Sequence, residues 1–138
     1  MTIVIAAVLN GINYGLAYLI TPNVNIFFLL MMLIVIPAVY NIILYKKNTL
    51  KKGLWIFPLL TTIAYTVSGS LLERSGKWDV LIEQTNRSSG DLIIQVSESI
   101  VDPSQIITLF LTQIAVLFIA DKLFRKGSSS HDRSYKFE

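Results

Sequence analysis

Four apolar segments, at about 3–20, 25–45, 54–72 and 103–124, are joined by short connections of contrasting charge. A hydrocarbon core roughly 30 Å thick takes about 20 helical residues to cross. Inside it every backbone N–H and C=O must be satisfied within the segment, which restricts such runs to helices. The pattern therefore predicts an all-α polytopic membrane protein: four transmembrane helices with a short extracytoplasmic loop subdomain over 73–102. With 53% hydrophobic and 15% charged residues, a chain of 138 is too apolar for an ordinary soluble domain.

The boundaries are marked by residues that break or anchor helices. The first segment stops at Thr21-Pro22-Asn23. It lacks a charged leader region and a small-residue cleavage site, which reads as a retained helix. The second ends at Tyr45 with Lys46 and Lys47, whose stems can snorkel to the interface. The third starts near Leu54 with Trp55 at the interface and fades after Leu72. Asp102 and Pro103 suit the N-cap and first turn of the fourth, and Asp121, Lys122, Arg125 and Lys126 mark its exit.

Charge sets the expected orientation, because Lys and Arg are retained on the cytoplasmic side. The 46–52 loop holds Lys46, Lys47, Lys51 and Lys52 and no acid. The 73–102 loop holds three basic residues against six acidic ones, and the tail from Asp121 five against three. Both basic regions share a side if there are four spans, with both termini cytoplasmic and the localisation a cell membrane. The net charge of +3 is then a matter of topology, and no nucleic-acid partner is expected.

In the outer loop Trp78, Val80 and Ile82 alternate with other residues, as do Leu92, Ile94 and Val96 after a turn-like Asn86 to Asp91. That pattern fits a short β-hairpin. Leu92, Ile93, Val96 and Ile100 also fall at helical spacing, which fits an interfacial amphipathic helix. The tail over 127–138, with three consecutive serines, reads as a disordered cytoplasmic extension of the 1–126 membrane domain.

Within the spans, Ala7, Gly11 and Gly15 recur every four residues and make a small-residue stripe for close helix packing, within the chain or against a partner. Asn10, Asn13 and Asn41 are amides whose polar atoms need partners in hydrocarbon, either across helices or around a ligand or ion. Pro37 and Pro58 each free a carbonyl one turn earlier and bend the axis. Thr61, Thr62, Thr66, Ser68, Ser70, Thr108, Thr112 and Gln113 add polar atoms, and hydroxyls of this kind commonly bond back to their own helix.

The chain has no cysteine, which excludes disulfides and thiolate chemistry. No Asp, Glu, His, Lys or Arg lies deep in a span, so proton-coupled transport and intramembrane proteolysis lack their usual groups. The single histidine, His131, is in the tail, and nothing brings Glu83 and Glu98 to a defined separation. The expectation is a protein that is not an enzyme and needs no cofactor.

The run from Asn25-Ile26 through Met31-Met32 to Ile34-Val35-Ile36-Pro37, followed by an aliphatic stretch ending in lysine, resembles the Msa family of small bacterial membrane proteins, named as modulators of the staphylococcal regulator SarA. Asp79-Val80-Leu81-Ile82 and a last helix ending in basic residues are similar too, while Ser88-Ser89-Gly90 and the serine-rich tail depart from the family pattern. The resemblance implies a membrane-embedded accessory or signalling protein of a low-GC Gram-positive bacterium that affects gene regulation indirectly. It brings no catalytic motif with it. Beside the bilayer, the expected partner is another membrane protein or a second copy of the chain. A small transporter or channel subunit, with a polar path from the intramembrane Asn and Thr residues, is the alternative.

Overall fold

A computed structural model describes residues 1–47, 52–88 and 98–131. Among these residues every regular element is a helix and there are no strands. Helix α1 spans Thr2–Ile20. The second span is one rod over Ile26–Lys47, made of α2 (Ile26–Leu30), a π-helical turn (Met31–Val35) and α3 (Ile36–Lys47). Helix α4 spans Gly53–Arg74, α5 Lys77–Ser88 and α6 Pro103–His131. Four of these stretches, α1, the second rod, α4 and Pro103–Arg125 of α6, are long and apolar enough to cross a membrane.

The ends are built as the local chemistry dictates. Asn25 caps α2 by accepting the Phe28 N–H at 2.7 Å, and Asp102 caps α6 by accepting the Ser104 N–H at 2.8 Å. Gly76, at φ 69°, takes the left-handed conformation that reverses the chain between α4 and α5.

The four spans pack as a bundle in which α1 and α6 each lie against both the second rod and α4. Two apolar clusters fill it. One, with Ala6, Leu44, Phe57 and Leu117, lies at the end that carries Lys46 and Lys52, here the lysine end. The larger one, with Tyr14, Leu29, Leu33, Tyr65, Leu72, Trp78, Leu81 and Ile100, lies at the end that carries α5. Outward faces are apolar as well: Val4, Val8, Ile12 and Leu16 on α1, Met31, Val35, Val39 and Ile43 on the second rod, and Leu59, Ile63, Val67 and Leu71 on α4 are exposed at helical spacing. A surface this apolar on all spans is a lipid-facing surface. The protein is a multi-pass helical membrane protein.

Two expectations change. The strand-like alternation in the outer loop gives way to a helix: the buried residues of α5 are Trp78, Leu81 and Thr85, at helical spacing, while Val80 is exposed. Packing of Trp78 and Leu81 under the bundle end outweighs the period-2 pattern. The 92–96 arm lies outside the described residues, and Ile100 is buried in a turn rather than a helix. Residues 127–131, expected to be disordered, continue α6 to His131, because extending an existing helix by a turn costs little compared with starting one. Residues 132–138 lie outside the description.

Candidate functional site

Between the two apolar clusters lies a belt of buried polar side chains drawn from every span, with the π-turn of the second rod at its centre. Pro37 has no N–H, so it cannot donate to the carbonyl of Leu33, and the wider π-turn redirects the Ile36 N–H to the carbonyl of Met31. The carbonyls left over are taken by other helices. Asn13 of α1 donates its amide to the Met32 carbonyl at 2.8 Å, Tyr14 of α1 its hydroxyl to the Leu33 carbonyl at 2.8 Å, and Gln113 of α6 its amide to the Ile34 carbonyl at 3.2 Å. The irregularity in the second rod is thus the seam that joins α1 and α6 to it.

Towards the lysine end the belt continues mainly from side chain to side chain. Asn41 donates to the Thr61 hydroxyl at 2.9 Å and to the Gln113 carbonyl oxygen at 3.3 Å, linking the second rod to α4 and α6. Tyr40 donates to Asn10 Oδ1 at 2.7 Å, and Asn10 in turn donates to the Ala6 carbonyl one turn back. Asn10, Asn41, Thr61 and Gln113 are all at most 2% exposed. Among the described residues Asn41 Oδ1 is the one buried side-chain polar atom with no hydrogen-bond partner.

The three amides expected to need partners find them across helices. The hydroxyls divide: Thr62, Thr66 and Thr108 bond back to the carbonyl four residues earlier, whereas Ser68 donates to the Tyr14 carbonyl of α1 at 3.2 Å. Pro58 stands in the second turn of α4, and its own carbonyl accepts the Thr62 hydroxyl. Sequence reasoning passed over Tyr14, Tyr40 and Tyr65, whose hydroxyls carry three of the cross-links. Their signal was the placement of tyrosines inside apolar spans, where a phenol needs a partner.

The small-residue stripe is not an internal seam. Ala7, Gly11 and Gly15 are exposed, and a Cβ built on either glycine meets nothing within 4 Å. The inward face of α1 is rotated by one residue and consists of Ala6, Asn10, Asn13, Tyr14 and Ala17. Burial of two amides and a phenol with bonding partners decides the rotation. Close packing on a glycine occurs instead at Gly69 of α4, where an added Cβ would lie 2.6 Å from the side-chain atom Val101 Cγ1.

At the α5 end, one face of α4 clamps the chain that leads into α6. Tyr65 donates its hydroxyl to the Ile100 carbonyl at 2.7 Å, Gly69 lies under Val101, and the Glu73 carboxylate accepts the Ser99 hydroxyl at 2.6 Å and the N–H groups of Ile100 and Val101 at 2.8 and 3.4 Å. Lys77 ties α5 to α1 by donating to the Tyr18 carbonyl at 2.8 Å, with its ammonium 4.1 Å from the Tyr18 ring centroid. Asp79, Ile82, Glu83, Asn86 and Glu98 line an open groove beside α5. Among the described residues no group of three His, Cys, Asp or Glu is placed to hold a metal ion.

At the opposite end, Lys46 and Lys47 close α3, Lys52 caps α4, and Lys51 lies outside the described residues. No family model, no curated protein and no solved structure matches the chain.

Proposed function

We propose that the protein is a non-enzymatic membrane accessory or signalling component that acts through contacts with another membrane protein or a second copy of itself, and that it influences gene regulation indirectly. The supporting observation is how the intramembrane polar groups are used. Asn10, Asn13, Tyr14, Tyr40, Thr61 and Gln113 are engaged with one another or with backbone carbonyls, which makes a cross-linked scaffold whose charged groups lie at its two ends. In the cell membrane the basic loop, the α6 exit and both termini face the cytoplasm, and the α5 end presents its acidic groove outside.

Photocrosslinking in native membranes tests this reading. A crosslinker replacing Glu83, on the exposed side of α5, should yield discrete protein adducts, while one replacing Val39, on the outward face of the second rod, should yield lipid adducts. Lipid adducts alone at both positions would defeat it. Orientation is tested separately with single cysteines, which the cysteine-free chain allows. Labelling at position 130 by an impermeant reagent on intact cells would reverse the topology.

Asn41 Oδ1 favours a second reading, that of a small transporter or channel subunit, because an unpartnered acceptor at the centre of a four-helix belt is where a permeating species would exchange its hydration. Ion flux into liposomes holding the purified protein, abolished by Asn41→Leu, would establish it. Tight liposomes would remove it.

A further inference from the structure

We infer that the lysine end is a headgroup site for anionic glycerophospholipids, formed where α3 and α6 meet. The two helix ends are in direct contact there. Tyr45 donates its hydroxyl to Asp121 at 3.0 Å, Asp121 pairs with Arg125 at 3.0 Å, and the Lys46 ammonium stands 5.1 Å from the Phe124 ring centroid. Lys122 is held the same way over Phe118, at 4.6 Å.

Three features point to a lipid phosphate. Among the described residues this end carries Lys46, Lys47, Lys52, Lys122, Arg125 and Lys126 against the single acid Asp121, and the first five are exposed. Asp121 is already engaged by Tyr45 and Arg125, so it orients the guanidinium without cancelling the others. The Phe124 and Phe118 rings hold two ammonium groups against the apolar helix ends, and cations anchored in this way at the end of a span reach the headgroup level of a bilayer. Exposed Trp55 marks the same level on α4. A headgroup whose phosphate charge is not balanced by its own amine gains the most from such a cluster. The inference does not depend on which side of the membrane this end occupies.

Quenching of Trp55 by brominated lipids reads the preference directly. The full chain is reconstituted in bilayers of phosphatidylcholine mixed with brominated phosphatidylglycerol, or with brominated phosphatidylcholine. The Trp55 signal is isolated by subtracting the Trp55→Phe variant, since Trp78 is buried at the other end. Phosphatidylglycerol should associate about fivefold more strongly than phosphatidylcholine near Trp55. The combined Lys46→Gln, Lys122→Gln, Arg125→Gln variant should bring the ratio to about one, and Arg74→Gln at the opposite end should leave it unchanged. All substituted side chains are exposed, and circular dichroism of each variant checks that the helices are retained. A wild-type ratio of one would overturn the inference and leave this end to a soluble acidic partner. A ratio that survives the triple substitution would overturn it too, as would loss of the preference on adding glycerol phosphate, which would mark a site for small anions.

Discussion

Tyr14 donates its hydroxyl to the carbonyl of Leu33, the residue four before Pro37, so a phenol on α1 fills the bond that the proline cannot make. A kink residue and its compensation therefore sit on different helices, and the fold depends on the pair. Tyr14→Phe should lower stability by about 1 kcal/mol, within the range found for hydrogen bonds between membrane helices. Pro37→Ala should reduce that loss, because the restored N–H can reach Leu33. A double-mutant cycle by detergent unfolding should show a coupling of at least about 0.5 kcal/mol. Additive effects would mean that the two residues are independent.

Cross-helix and in-helix polar groups should differ sharply on removal. Gln113→Leu takes the donor from the Ile34 carbonyl and the acceptor from Asn41 together, and should cost roughly 1–3 kcal/mol. Thr66→Val removes only a bond back to Thr62 in its own helix and should change stability by no more than about 0.5 kcal/mol. Unfolding titrations of the two variants in the same detergent compare them. Equal effects would show that the belt does not hold the bundle together.

Glycines offer the next contrast. At Gly69 an alanine Cβ would meet Val101 Cγ1 at 2.6 Å and Ile100 Cγ2 at 3.2 Å, and the β-branched Val101 has little freedom to turn aside. Gly69→Ala should cost about 1–3 kcal/mol by overpacking. Gly11→Leu and Gly15→Leu should leave folding stability unchanged, since their Cβ positions are open, and any effect should appear in association alone. A large loss of stability in the Gly11 variant would place that face inside.

The same residues mark which parts of the fold could be read in advance. The four spans were legible because run length and end residues suffice: Asn25, Pro22, Lys46 and Asp102 stop or start helices by local chemistry, and the observed ends differ from the expected ones by a residue or two, except that α6 runs seven residues further, to His131. Rotation about each axis was not legible from small residues. Ala7, Gly11 and Gly15 form a clean stripe, yet the stripe that faces inward, Ala6, Asn10, Asn13 and Ala17, is set by where amides find partners, a property of the other helices. The π-turn leaves no mark except Pro37, and the α4 clamp joins residues about 30 positions apart through Glu73, which the sequence shows only as one of six acids in the 73–102 loop.

The clamp predicts a local effect. Glu73→Ala removes the acceptor for the Ser99 hydroxyl and for the N–H groups of Ile100 and Val101, so those two amides should lose hydrogen-exchange protection while the middle of α4 keeps its own. Glu73→Gln retains an acceptor oxygen and should lose less. Equal protection at Ile100 and Val101 in all three proteins would show that Tyr65 and Ile100 burial hold the segment by themselves.

A pH effect should appear next to it. Asp102 accepts hydrogen bonds from the Ser104 hydroxyl and N–H at the start of α6, and these hold its carboxyl below the usual carboxylate range. The ionised form is favoured by the folded cap, so the contribution is complete above the unfolded value of about 3.9 and is lost as pH falls through the lower folded value. A group this exposed should affect only the first turn. Protection of the Ser104 and Gln105 amides relative to the intrinsic exchange rate at each pH should therefore fall on acidification in the wild type, over a pH range below 4, and should show no such step in Asp102→Asn, where the side-chain oxygen caps without titrating. A carboxyl midpoint at or above the ordinary value, followed by NMR, would contradict the cap.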